Sequence, residues 1–454
     1  MSLKQTHLKL WSRWQSISTT STNRRILGAA ITIATLTFGA KLLSMAKDSV
    51  VAASFGAGDT MDAFLIAYVL PNFAVGVISG SFNAALIPTY IQVRDREGRQ
   101  AAQRLLSSTV LISSVLLIGV TLVLALLGPA VLPILGRGFG PEKLHLTERL
   151  FYVLLPMIVL SGLATNWGAA LNAGERFALV ALSPALVPLT SVFALIGFSR
   201  TWGVYALAFG TVIGFALQLA LIGWGLRKQD IGIGLRWHGF NGSMRTVIGQ
   251  FLPMIAAGIL MNSTTLVDQT MASMLAPGSV AALGYGNKLV NLLVGISTAA
   301  IGTALLPYLS KMIAAGNWVG LRHTLRTYTK LIVVTTVPLT AALCFLSPEI
   351  VRLLFQRGAF TAVDTKTVAW VQVMYLLQLP FFTLTILFVR TISSLRANHV
   401  LTWGTVISCI ANITLDYILM HFLGVAGIAL ATAGVYVISL CFLSVMCYKL
   451  LKGK

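Results

Sequence analysis

LLSSTVLISSVLLIGVTLVLALL, residues 105–127, is a run of 23 residues without one charge. A hydrocarbon core about 30 Å thick takes about 20 apolar residues of helix to cross. In lipid the backbone must satisfy its hydrogen bonds within the segment, so the run reads as a membrane-spanning helix. Working outward, eleven more such stretches appear, at roughly 26–54, 60–91, 147–173, 177–198, 203–226, 244–275, 279–311, 328–347, 366–394, 400–421 and 425–448. The chain is 56% hydrophobic and only 10% charged, as a body immersed in lipid requires. The expected fold is an all-α integral membrane protein of twelve transmembrane helices.

Net charge is +20, and its placement explains it. Of 33 Lys and Arg, 22 fall at the termini and in alternate loops, 7 in the other loops, and 4 within spans (Lys41, Lys47, Lys288 and Arg390). That asymmetry is the positive-inside rule, and it puts both termini in the cytoplasm. The basic excess is therefore a topology signal, and no nucleic-acid partner is expected. Residues 1–25 read as a retained basic cytoplasmic extension, because the following span is too long for a signal-peptide core. The four Cys lie in spans without metal or redox spacing, and the six His lie in loops or at span ends. Nothing here resembles an enzyme centre, and no cofactor is expected.

The chain repeats itself. A shift of 219 residues brings Asn72, Val75, Gly76, Ala85, Leu86 and Pro88 onto Asn291, Val294, Gly295, Ala304, Leu305 and Pro307. A shift of 220 brings Arg137-Gly138 onto Arg357-Gly358, and one of 224 brings Leu155-Pro156 onto Leu379-Pro380. Six spans per repeat return the chain to its starting side, so the halves are parallel and pseudo-symmetric. The expected organisation is an N-lobe at 26–226, a cytoplasmic linker at 227–243 and a C-lobe at 244–454. Parallel repeats of this kind are a transporter architecture, with a site between lobes that rock.

A Lys near the bilayer centre costs about 2.5–3.5 kcal/mol on insertion scales, so Lys41, Lys47 and Lys288 need a purpose. Lys41 and Asp48 are seven apart and share a helix face. Lys47 and Lys288 sit at comparable depth, one per half. Ammonium groups around a wet cleft with low-dielectric walls would attract a phosphate or pyrophosphate. The alternative is a structural ion pair of Lys47 with Asp48 or Asp62. Asp62 opens span 2 and also suits a helix cap.

A second polar group lies in the other half. Asn412 and Asp416 are i, i+4 on span 11, and Asp268 and Thr432 fall at similar depth. Their oxygens could hold Na⁺ or H⁺, or could simply glue helices together. Arg390, near the cytoplasmic end of span 10, is a candidate gate or a positive-inside anchor.

The run Lys47-Asp48 … Phe55-Gly56-Ala57-Gly58 … Asp62-Ala63-Phe64 … Leu70-Pro71-Asn72 … Gly80-Ser81-Phe82 … Pro88 resembles the opening of the MurJ/MviN family of lipid II flippases. These belong to the multidrug/oligosaccharidyl-lipid/polysaccharide exporter superfamily. Leu354-Phe355-Gln356-Arg357-Gly358-Ala359-Phe360 is similar to another signature of that family. The resemblance implies a substrate-binding set of Lys41, Lys47, Asp48, Asp62, Lys288, Asn72 and Asn291. It also implies a sodium site at Asp268, Asn412, Asp416 and Thr432. The three lysines stand where the family usually has Arg, which grips phosphate bidentately where Lys offers a point charge. The family's Arg pair after Leu-Pro-Asn is absent, its place taken by Phe73-Ala74. Many members carry fourteen spans.

The expected function is a flippase in the bacterial cytoplasmic (inner) membrane. It would move undecaprenyl-pyrophosphate-linked peptidoglycan precursor to the outer leaflet by alternating access, with a possible Na⁺ or H⁺ coupling ion. The expected partners are a lipid-linked anionic glycan and the bilayer, and the expected unit is a monomer. A flippase for another lipid-linked oligosaccharide, a cation-coupled multidrug exporter and a non-transporting membrane scaffold are the alternatives.

Overall fold

The run at 105–127 sits in the middle of a longer helix, because the backbone ladder continues past the hydrocarbon boundary into the polar interface. The computed structural model describes residues 22–173, 177–228, 236–240 and 242–452. In chain order the first helices are α1 (Thr22–Phe55), α2 (Asp59–Glu97), α3 (Arg99–Leu135), α4 (Pro141–Leu154) and α5 (Pro156–Ala173). There follow α6 (Phe177–Leu182), a 3₁₀ turn (Ser183–Ala185), α7 (Leu186–Trp202) and α8 (Val204–Arg227). The second half comprises α9 (Gly242–Ser273), α10 (Ser279–Ala314), α11 (Trp318–Phe355), α12 (Ala362–Leu376), α13 (Gln378–Ser394), α14 (Asn398–Leu423) and α15 (Val425–Lys452).

Ten helical segments among the described residues are long and apolar enough to cross a membrane, taking α6–α7 and α12–α13 as one each. The pair α4–α5, bent by 40°, makes eleven. The bend falls at Leu155-Pro156, where proline cannot donate the ladder bond. The remaining long helix is α1, of 34 residues, whose outer half carries Lys41, Lys47 and Asp48.

The ends follow local chemistry. Gly56 takes φ +63° in the tight turn between α1 and α2. Asp59 and Asp62 lie in the first turn of α2, favourably placed for the helix dipole. Thr361 and Asp364 form a reciprocal capping box at the start of α12. Of the expected 227–243 linker, 229–235 and 241 lie outside the described residues, as does most of the 1–25 extension. The described part is pinned to α3: Ser107 Oγ donates to Arg236 O at 3.0 Å, and His238 N donates to Ser108 Oγ at 3.0 Å.

Among the described residues, the buried apolar side chains form one core shared by both halves and two separate ones. The shared core holds Val51, Phe64 and Phe151 from the first half with Val280, Phe355 and Val368 from the second. It lies at the end poor in Lys and Arg, called here the outer end. At the opposite, inner end, Phe82, Leu105 and Leu226 form one core, and Leu309, Leu387 and Leu443 form another. Close van der Waals packing in the shared core ties the halves together at the outer end, since lipid itself gives apolar helices no hydrophobic drive to associate. Helix α9 straddles them. Its inner part packs on α2, with Phe82 edge-on to Phe251 at 4.9 Å and Ser81 Oγ donating to Met254 O at 2.8 Å.

The repeat is visible in two matching contacts. Gly138, in the α3–α4 turn, is seated against Ser273 O at the end of α9. Gly358, in the α11–α12 turn, is seated against Ala53 O near the end of α1. Both members of each contact are related by the 220-residue shift.

Candidate functional site: a cationic cavity between two half-bundles

Helices α1, α2, α6, α7, α8 and α10 enclose a cavity of about 620 Å³. Lys41, Lys47, Asp48 and Lys288 all line it. Lys47 Nζ lies 2.7 Å from Asp48 Oδ1, and Lys288 Nζ lies 2.9 Å from Asp48 Oδ2. The Asp48 side chain is only 6% exposed, whereas those of Lys47 and Lys288 are 22% and 37% exposed. One buried carboxylate therefore serves two ammonium groups that still face the cavity. The local pairing of Lys47 with Asp48 is present, but Lys288 arrives from the other half to share the same acid.

Lys41 stands apart from that triad. Its Nζ lies beside Gly295 of α10, in the space a Cβ there would take. The glycine thus lets the α1 ammonium approach the second half closely. Three ammonium groups against one carboxylate leave two positive charges in the cavity.

Asp62 does not line this cavity. Its Oδ2 accepts from Lys143 Nζ and from Gly278 N, each at 2.7 Å, and its Oδ1 accepts from Ala281 N at 2.8 Å. Asp62 therefore caps the outer N-terminus of α10, where unpaired amides and the helix dipole favour an anion. The structure thus places Asp62 at this cap and not among the residues that line the cavity. Asn72 and Asn291 also fall outside the cavity, both on exposed faces of their helices. Each lies one turn past a lining residue, Tyr68 on α2 and Lys288 on α10.

The second-half cluster is assembled from two helices. Asn412 Nδ2 donates to Asp268 Oδ1 at 3.0 Å, and the Asp416 carboxyl lies beside that of Asp268. Asn412 and Asp416 are buried, Asn412 lies close to both acids, and neither Asp416 oxygen has a full hydrogen bond among the described residues. Thr432 donates to Ile428 O on its own helix at 3.4 Å. Tyr375 and Tyr436 lie near the acids. Arg390, on α13, has its Nε buried without a partner among the described residues. One turn on, Ser394 Oγ accepts from Ser310 Oγ of α10 at 3.4 Å.

Sequence reasoning missed Lys143, which also reaches Asp59 at 2.6 Å, and the α7–α8 wall of the cavity with Ser191, Thr211 and Gln218. Lys143 reads locally as an ordinary outer-loop cation. Gln218 carried a faint signal, being an amide within an otherwise apolar span.

The family profile described as lipid II flippase MurJ matches residues 51–454. A Synechocystis protein named "Probable lipid II flippase MurJ" is 30% identical over 92% of this chain and 80% of its own length. A Rhizobium tropici protein of the same name is 29% identical over 89% and 77%. Among solved structures, "Lipid II flippase MurJ, inward closed conformation" superposes with a TM-score of 0.80 at 24% identity, covering 92% of this chain and 87% of that one. Another, "Inward-facing conformation of a multidrug resistance MATE family transporter of the MOP superfamily", superposes at 0.74 with 12% identity, covering 93% of this chain and 99% of that one. The structural likenesses establish a shared fold, and the profile establishes kinship: the chain belongs to the MurJ lipid II flippase family.

Proposed function

We propose that this protein translocates lipid II, an undecaprenyl-pyrophosphate-linked peptidoglycan precursor, from the inner to the outer leaflet of the bacterial inner membrane. The observation that carries the reading is the bridge from Lys47 and Lys288 to Asp48 in a cavity that Lys41 also lines. The two excess positive charges match the two negative charges of a pyrophosphate diester. In a low-dielectric cleft that complementarity is worth far more than in water. A cavity of this sign disfavours the organic cations of a multidrug exporter.

The pyrophosphate competes with Asp48 for Lys47 and Lys288, while the hydrocarbon tail stays in lipid. Since Lys288 belongs to the second half, withdrawing it from Asp48 removes a bond that ties the halves together. The unit is a monomer of twelve spans with both termini cytoplasmic, its lobes at 26–226 and 244–454 rocking about the cavity. With the cell interior negative, outward movement of each uncompensated negative charge gains about 2.3 kcal/mol per 100 mV.

Asp268, Asn412, Asp416 and Thr432 would hold the coupling cation, either Na⁺ or a proton. The fit rests on the two Asp416 oxygens, neither fully hydrogen-bonded among the described residues, beside a second carboxylate, since hard cations take oxygen ligands.

The test is flipping of fluorescent lipid II in vesicles containing the purified protein. An inside-negative potential, in the cell-like orientation, accelerates outward transfer, and Lys47→Ala or Lys288→Ala abolishes it. Transfer that proceeds at wild-type rate in both variants would defeat the reading.

A further inference from the structure

We propose that the α7–α8 wall of the cavity is the subsite for the glycan of the lipid-linked substrate. The inference rests on the flippase reading and adds which residues hold the sugar. Thr211, Phe215 and Gln218 all line the cavity and recur at intervals of four and three, so they form one stripe along α8. Ser191 of α7 stands beside them, its Oγ 3.4 Å from Thr211 Oγ1.

The decisive atom is Gln218 Oε1. It is buried and has no hydrogen-bond partner among the described residues. A buried amide oxygen without a donor is costly, and such orphans concentrate where a ligand supplies the missing bond. Its lone pairs suit a sugar hydroxyl or an acylamino N–H, and the Gln218 amide can donate in return. Phe215, half-buried in the same stripe, offers an aromatic face to a pyranose ring, and Phe64 and Tyr68 add aromatic surface from α2. Few polar groups set in an aromatic lining is the usual build of a small-molecule pocket, and about 620 Å³ lies within the usual ~300–1,000 Å³.

Depth supports the division of labour. Asp48 and Lys41 lie seven and fourteen residues from the outer end of α1. Thr211 and Gln218 lie seven and fourteen residues from the outer end of α8. At 1.5 Å per residue both pairs span about 10 Å, so the neutral wall faces the charged one level for level. The pyrophosphate goes to the lysines on α1 and α10, and the sugar attached to it goes to the uncharged stripe on α8.

The experiment measures binding of the purified full chain to two lipids, undecaprenyl pyrophosphate and lipid II, by native mass spectrometry or thermophoresis. Wild type binds lipid II more tightly than the sugar-free lipid. Gln218→Met and Thr211→Val, together or singly, weaken lipid II binding by roughly tenfold. Both leave undecaprenyl pyrophosphate binding unchanged, which also reports that the variants are folded. Equal affinities for the two lipids in wild type overturn the glycan subsite but leave the pyrophosphate site standing. Equal losses for both lipids in the variants overturn it too, since the wall would then be merely structural. Wild type binding neither lipid would remove the flippase reading itself.

Discussion

Lys288 and Asp48 stand 240 residues apart in the chain and 2.9 Å apart in space. The contact joins the first helix of one half to the second helix of the other at the wall of the cavity. Asp48 is the better buried partner, so the two members of the pair respond differently to replacement.

Lys288→Ala removes a cation that is 37% exposed, and Asp48 keeps Lys47 as a partner. Its effect on stability should be at most about 1 kcal/mol, as for other partly solvated pairs. Flipping should nevertheless fall to background. Asp48→Asn leaves two ammonium groups facing each other without a counter-charge and should cost about 3–5 kcal/mol. Thermal denaturation in detergent together with vesicle flipping separates the two. Matching melting shifts for both variants would contradict this division.

Asp62→Ala strips Gly278 N and Ala281 N of their acceptor and leaves Lys143 with Asp59 alone. Unsatisfied buried donors cost about 1–3 kcal/mol each. The variant should melt earlier and open at the outer end. A cysteine placed at Ala57 would then react faster with a membrane-impermeant maleimide in Asp62→Ala than in the parent. Unchanged labelling would mean that the cap does not hold the outer end shut.

Gly358 has φ +57° and its Cα is seated against Ala53 O, while Ala359 N donates to that oxygen at 2.8 Å. Alanine there meets both a left-handed backbone cost of about 1–2 kcal/mol and a collision with the other half. Gly316 has φ +67° and open space around it, so Gly316→Ala carries the backbone cost alone. Gly358→Ala should therefore lower the melting temperature by several degrees more than Gly316→Ala. Equal shifts would show that the Ala53 contact carries no weight.

Asp416→Asn keeps the volume of the second-half cluster but removes a carboxylate. If the cluster binds the coupling cation, Na⁺ or pH dependence of flipping should vanish while binding of lipid II persists. Asp416→Leu, which packs apolar atoms beside Asp268, should lose the same dependence. A variant that retains the full ion dependence would assign the cluster to helix packing.

The spans were readable because lipid leaves a helix no choice: uncharged runs such as 105–127 must bond internally. The repeat was legible in Arg137-Gly138 and Arg357-Gly358, which recur at a shift of 220, and each glycine seats against the opposite half. The lysines were legible as a cost that needed a cause. What stayed hidden depended on side chains meeting across the bundle. Asp62 looked like a ligand or its own helix's cap, and it caps α10 instead, more than 200 residues away. Lys143 carried no local mark of that partnership. Asn72 and Asn291 sit at matching repeat positions, one turn beyond the cavity-lining Tyr68 and Lys288 on the same helix faces, so their distance from the lining is one of depth.

Residue order alone determined that this chain crosses the membrane many times, repeats itself, and hides cations where hydrocarbon should be, since those follow from solvation energy and counting. Tertiary structure decided which acid those cations share, which face of α8 completes the pocket, and at which end the halves are fastened. Those choices rest on hydrogen-bond reach and burial between helices far apart in the chain, a geometry that linear spacing does not encode.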